Sequence, residues 1–180
     1  SIGLASLVCA VAYTGGPFPL AYHGLGDLFV FVFFGLVAVG GTYWVQALAF
    51  PPEVLWAGAG AGAMNTAILV VNNLRDIETD ARAGKHTLAV CLGPGGTRVE
   101  FLLLLLLAYL VPLVGIIALG WTPWAGLAFL SALPALRATV PVLRHRPGTT
   151  DPRDLIPPLG SIAQAAGLYG VLLGSGLALG

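Results

Sequence analysis

Residues 72–93 read NNLRDIETDARAGKHTLAVCLG. This stretch holds three of the eight acidic residues in the 180-residue chain (Asp76, Glu78, Asp80) and three of the eight basic ones (Arg75, Arg82, Lys85). Long apolar runs flank it on both sides. It reads as a polar junction between apolar helices, and as the place where chemistry is concentrated.

Hydrophobic residues make up 57% of the sequence and charged residues only 9%, with a mean hydropathy of +0.90. Soluble domains carry about a quarter charged residues, so this chain cannot cover a water-facing surface. The class is an integral membrane protein, an all-α polytopic transmembrane helix bundle. The formal net charge of zero says nothing about nucleic acid, no basic stripe suggests it, and no nucleic-acid partner is expected. Cys9 and Cys91 sit far apart in no CxxC pattern and are expected to be free, packed thiols.

Working outward, the spans fall in order. Ser1 to Tyr13 is apolar but too short to cross a bilayer, which takes about 20 residues, and reads as the second half of a helix. The Gly- and Pro-rich Thr14 to Gly26 interrupts it. Asp27 is expected to cap a first full span, Leu28 to Ala47. Pro51 and Pro52 are placed to start the second, from Glu53 to Val71. That helix carries Gly58, Gly60 and Gly62, whose spacing favours close helix contacts, and is expected to continue to Ala83 with Gly84 as its stop. A third span, Val99 to Leu119, contains Leu102 to Leu107 and a kink at Pro112. Trp121 and Trp124 mark an interfacial turn. The fourth span covers Trp124 to Leu143, and the fifth runs from Leu159 to the end. The chain is a single domain, with 72–98 as its polar motif loop.

The basic residues Arg75, Arg82, Lys85, Arg98, Arg144, Arg146 and Arg153 all fall in loops on one side, and Arg137 lies nearest that side. The opposite loops, 48–52 and 120–123, hold none. The positive-inside rule therefore puts the charged stretch in the cytoplasm, in an inner or plasma membrane.

If residues 72–83 are helical, Asn72, Asp76 and Asp80 fall at i, i+4 and i+8 and share one face. Two carboxylates and an amide make a hard oxygen donor set suited to Mg²⁺, which completes its shell with phosphate oxygens. Arg75, Arg82 and Lys85 stand close enough to grip the same phosphates. This favours departure of a diphosphate from an allylic lipid tail lying in the bilayer. Against it stands the reading of a solvated loop, in which Glu78 and Arg82 form a surface ion pair. His145 in RHRP and His23 read as solvated loop residues, whereas His86 beside Lys85 is a candidate phosphate contact.

The stretch resembles the second aspartate-rich motif of the 1,4-dihydroxy-2-naphthoate prenyltransferases, a group of UbiA-type intramembrane prenyltransferases. The matching residues are Asn72, Asn73, Arg75, Asp76, Asp80, Gly84, Lys85, Thr87, Leu88 and Gly93. Ala12 to Gly35 and Asp154 to Leu168 are similar to further segments of that family. The resemblance implies a nine-helix bundle with a cytoplasm-facing cavity. It also implies transfer of a polyprenyl group from its diphosphate onto 1,4-dihydroxy-2-naphthoate, with loss of diphosphate and CO₂, giving demethylmenaquinone in menaquinone biosynthesis. By resemblance, Asp76 and Asp80 are catalytic and hold Mg²⁺ with Asn72. Asn73, Arg75 and Lys85 bind substrate, with Tyr13, Tyr43 and Gln46 as further cavity candidates; Arg82 is a substrate-binding candidate from its place in the charged stretch. The family's first Asn/Asp-rich loop has no counterpart before Asn72. The chain therefore reads as the later two-thirds of that fold, and alone is expected to be inactive. Other acceptors, such as 4-hydroxybenzoate or homogentisate, and a non-catalytic or transporter-like protein are the alternatives.

Overall fold

The computed structural model describes residues 23–180. Cys9, Tyr13, the half-helix and most of the first loop lie outside the described residues. The remainder contains five helices long and apolar enough to span a membrane: α1 Gly26–Ala47, α2 Pro52–Arg82, α3 Leu88–Ala118, α4 Pro123–Arg144 and α5 Pro152–Ala178. No strand occurs among the described residues. This is the expected polytopic helical bundle.

α2 is the central element. Met64, Ala67, Val71 and Leu74 on it are fully buried against Phe101 and Ala108 of α3, Ala138 and Val142 of α4, and Ile162, Ala165 and Tyr169 of α5. The leucine run of α3 is split by helical periodicity: Leu105 joins the core, while Leu102, Leu103 and Leu106 are exposed. In a bilayer those outward leucines meet lipid, which solvates them as well as protein does.

Small residues set how closely α1 approaches α2. A Cβ on Gly35 would lie 2.5 Å from Gly62 Cα and 2.6 Å from the Gly58 carbonyl oxygen, so the backbones touch there. Gly35 falls within a π-helical turn, Val32–Val37. Gly60 points the other way, and its missing Cβ makes room for the Tyr169 hydroxyl. The close contacts expected of Gly58, Gly60 and Gly62 are thus made with two different helices.

Pro51 and Pro52 open α2 as anticipated, at its N-cap and first turn. Three boundaries differ from the sequence reading. α1 begins at Gly26 with Leu25 as N-cap, and Asp27 is not a cap but a first-turn residue only 5% exposed. α3 starts eleven residues earlier than expected, at Leu88, so that most of 72–98 is helical. Its break falls at Gly93 (φ 68°, ψ 174°), just before Pro94, while helical dihedrals run on through Pro112. The first part of α4, Pro123–Ser131, is 3₁₀ helix.

Pro112 has no N–H for the carbonyl of Ala108, four residues earlier. The buried Tyr169 hydroxyl supplies the missing bond, donating to that carbonyl at 2.8 Å. Trp56 Nε1–H donates to the neighbouring Val111 carbonyl at 3.0 Å. The proline is tolerated because adjacent helices satisfy the backbone groups around it.

The polar junctions gather at one end of the bundle. Gly24 lies against the His86 carbonyl and Leu88 N–H, the Arg98 guanidinium donates to the His145 carbonyl, and the Glu78 carboxylate rests over Gly148. The 48–52 and 119–122 turns close the other end.

Candidate functional site at the acidic end of α2

The last three turns of α2 carry the acidic motif, and local chemistry explains its shape. Asn72, Asp76 and Asp80 recur every four residues on a continuous helix. Arg75 ties the first two together: Nε donates to Asp76 Oδ1 at 2.8 Å, and one terminal nitrogen donates to Asp76 Oδ2 at 2.6 Å and to Asn72 Oδ1 at 2.8 Å. The fork thus holds both oxygens of one carboxylate and the amide oxygen one turn earlier.

Gly84 then reverses the chain. Its φ of +72° is the left-handed conformation that glycine adopts without a Cβ penalty. Gly84 N–H bonds the Ala81 carbonyl and Lys85 N–H bonds the Asp80 carbonyl, which together make a Schellman C-cap. That turn carries the Lys85 ammonium back over the helix end, 2.8 Å from Asp80 Oδ1. Thr87 starts α3, its hydroxyl accepting from Val90 N–H at 3.3 Å. Gly84 and Lys85 of the quoted stretch therefore shape the helix end at Asp80, Thr87 caps the following helix, and Gly93 breaks it.

The other candidates are distributed less favourably. Asn73 is buried, turned about 100° from Asn72 around the helix. Arg82 is exposed, and its Nε donates to the Glu78 carbonyl. The expected Glu78–Arg82 ion pair is therefore replaced, with the Glu78 carboxylate facing Gly148 instead. Tyr43 and Gln46 stand at the far end of α1 beside the start of α2. By the helical rise that is about 35 Å from Asp76, so the fold does not bring them to this cluster. His86 and His23 are exposed. Cys91, expected to be packed, is a free and exposed thiol.

His145 overturns the solvated-loop reading. It is 2% exposed, its Nδ1 lies 2.8 Å from the Thr150 hydroxyl, and Arg98 binds its carbonyl. Burial pushes the imidazole pKa below the ordinary range; Asp154 and Glu78 pull it up and Arg98 pushes it down, with burial prevailing.

Beside the cluster, α1, α2 and α5 border an open cavity of about 290 Å³ lined by Val30, Phe34, Asn65, Ile68, Leu69, Asn72 and Leu159. Asn72 belongs to both places, a wall of the cavity and a partner of Arg75. The sequence reading passed over Asn65, although a lone carboxamide within an apolar span was the signal for it. No group of three or more His, Cys, Asp or Glu side chains converges on a metal-sized point among the described residues. The donor types at Asn72, Asp76 and Asp80 nevertheless fit a hard divalent cation.

Residues 1–155 match the model of the UbiA prenyltransferase family. The chain belongs to the UbiA prenyltransferase family. This UbiA chain is 42% identical, over its full length and 59% of the relative's, to a 1,4-dihydroxy-2-naphthoate octaprenyltransferase of Mycobacterium tuberculosis. It is 38% identical, over 99% of its length and 57% of the relative's, to the Haemophilus influenzae protein of the same name. A 2-carboxy-1,4-naphthoquinone phytyltransferase of Synechocystis is 32% identical over 80% of the chain and 45% of the relative. The chain thus spans under two-thirds of the length of these relatives. No solved structure matches it.

Proposed function

We propose that this chain is the aspartate-bearing part of a multi-pass membrane enzyme that transfers a polyprenyl group from its diphosphate to 1,4-dihydroxy-2-naphthoate. The observation that carries the reading is Asn72, which joins an apolar cavity to a charged cluster. A substrate with a diphosphate head and a hydrocarbon tail needs that juxtaposition. The names of the relatives support the naphthoate acceptor.

Asp76, Asp80 and Asn72 would hold Mg²⁺, with Arg75 and Lys85 contacting the diphosphate oxygens. When bound, the cation neutralises charge that develops on the leaving diphosphate. The chain's own groups do the rest. Arg75 and Lys85 already bond Asp76 and Asp80, so they stand within one side-chain rotation of any phosphate placed on those carboxylates. Their positive charge favours the departing anion as the C1–O bond breaks. The allylic carbon becomes electron-poor, and the face of Phe34 in the cavity wall stabilises it. The ring carbon bonds to C1, its carboxylate leaves as CO₂, and the quinol form of demethylmenaquinone results. Lysine and arginine distribution supports a cytoplasmic location for the cluster.

The test is prenyl transfer by the full-length protein in membranes, supplied with octaprenyl diphosphate and 1,4-dihydroxy-2-naphthoate. Product formation that stops on chelation and returns with Mg²⁺ supports the reading. Failure to prenylate the naphthoate, in membranes where the protein is inserted, overturns it.

A further inference from the structure

Asn65 lies near the middle of the 31-residue α2, seven residues before Asn72 and therefore about 10 Å deeper along the same face. Both line the one cavity, whose other walls are the apolar side chains of Val30, Phe34, Ile68, Leu69 and Leu159. One Asn65 side-chain N–H bonds the Ala61 carbonyl at 2.9 Å, within its own helix. A carboxamide has a second N–H and a carbonyl oxygen with two lone pairs. A polar group held within a membrane span is costly, and such groups usually mark a binding site.

We propose that the Asn65 carboxamide binds a ring hydroxyl of the aromatic acceptor and so selects which acceptor is prenylated. The inference rests on the prenyltransferase reading above. A polyprenyl tail offers no donor or acceptor, so the carboxamide has nothing to give it, whereas a phenolic hydroxyl pairs with it directly. The cavity, about 290 Å³, is at the small end of ligand sites, which run from about 300 to 1,000 Å³. That volume holds a two-ring aromatic acid, and the open side of the groove leaves the isoprenoid free to extend past it. Flat apolar walls pack the ring faces, Asn72 and the charged cluster lie at the mouth, and Asn65 meets the hydroxyl far from the carboxylate.

The experiment uses the full-length enzyme, with KM measured separately for 1,4-dihydroxy-2-naphthoate and for octaprenyl diphosphate. Asn65→Leu, close in volume, is expected to raise KM for the naphthoate about tenfold, the effect of one buried hydrogen bond, and to leave KM for the diphosphate unchanged. As an inhibitor, 1-hydroxy-2-naphthoate lacks the distal hydroxyl and should bind wild type and variant equally. If the leucine variant does not insert, Asn65→Gln keeps the amide but displaces it, and should separate the two KM values in the same direction. Equal naphthoate KM in variant and wild type, or a shift of both KM values together, overturns the assignment alone. A wild-type enzyme that does not prenylate the naphthoate overturns the parent reading and this one with it.

Discussion

Removing the Tyr169 hydroxyl should expose how α3 tolerates Pro112. The hydroxyl is fully buried and donates to the Ala108 carbonyl at 2.8 Å, the group that a proline at position 112 cannot satisfy. In Tyr169→Phe that carbonyl is left buried with no partner, at a cost of about 1–3 kcal/mol by soluble-protein experience. Polar bonds between membrane helices average about 0.6 and reach about 1.7 kcal/mol, so the expected loss is about 1–1.5 kcal/mol. Pro112→Ala restores the N–H at 112, and Ala108 then has its own helical donor. In that background Tyr169→Phe should cost less than about 0.5 kcal/mol, leaving a coupling near 1 kcal/mol. The four proteins of the cycle can be compared by reversible unfolding in mixed micelles. Strict additivity, with Tyr169→Phe equally costly in both backgrounds, would refute the claim that the tyrosine compensates for the proline.

Other consequences are open to measurement. Gly35→Leu puts a side chain where the Gly62 Cα already stands, and should separate α1 from α2, lowering thermal stability in detergent by more than the 1–3 kcal/mol typical of overpacking; an unchanged melting temperature would contradict the close approach. Lys85→Gln removes the cation paired with Asp80 and is expected to raise KM for the prenyl diphosphate at least tenfold in steady-state assays, with little change for the acceptor. The folded-state pKa of His145 is lowered, chiefly by burial, so the unfolded chain binds more protons at this site. Its contribution is present above about pH 6.5 and is lost as pH falls below that value, by at most about 1.4 kcal/mol per pH unit for one proton. Melting curves from pH 5 to 7.5 should be shallower for His145→Gln than for wild type.

Much of the architecture was legible because membrane helices are written as long apolar runs. All five expected spans are present, although α3 and α5 begin eleven and seven residues before the expected Val99 and Leu159, and Pro52 and Gly84 bound α2 for reasons visible in their backbone chemistry. The hidden parts depend on tertiary partners. The expected start of the third span at Val99 missed Leu88–Leu92, a short helical stretch that Gly93, at φ 68°, separates from the helix beginning at Pro94. Pro112 looks like a kink until Tyr169, fifty-seven residues later in sequence, supplies its missing bond. His145 lies in RHRP, a solvated-looking loop by composition, but Arg98 and Thr150 fold that loop inward. In the candidate site, i+4 spacing put Asn72, Asp76 and Asp80 on one helix face, as the continuous α2 has them, and Arg75 bonds the first two. Arg82 shares their neighbourhood in sequence but not their face. Tyr43 and Gln46 were drawn in by the family resemblance, and the hairpin of α1 and α2 puts them at the other end of the bundle.

The most direct test of the account is product formation by Asp76→Asn in the full-length protein. This change keeps the size of the side chain and one of the two oxygens that accept from Arg75, while removing the charge needed to hold Mg²⁺ and the diphosphate. With membrane insertion equal to wild type, prenyl transfer to 1,4-dihydroxy-2-naphthoate should fall by at least a hundredfold. Transfer at the wild-type rate would contradict the claim that the acidic end of α2 is the diphosphate site.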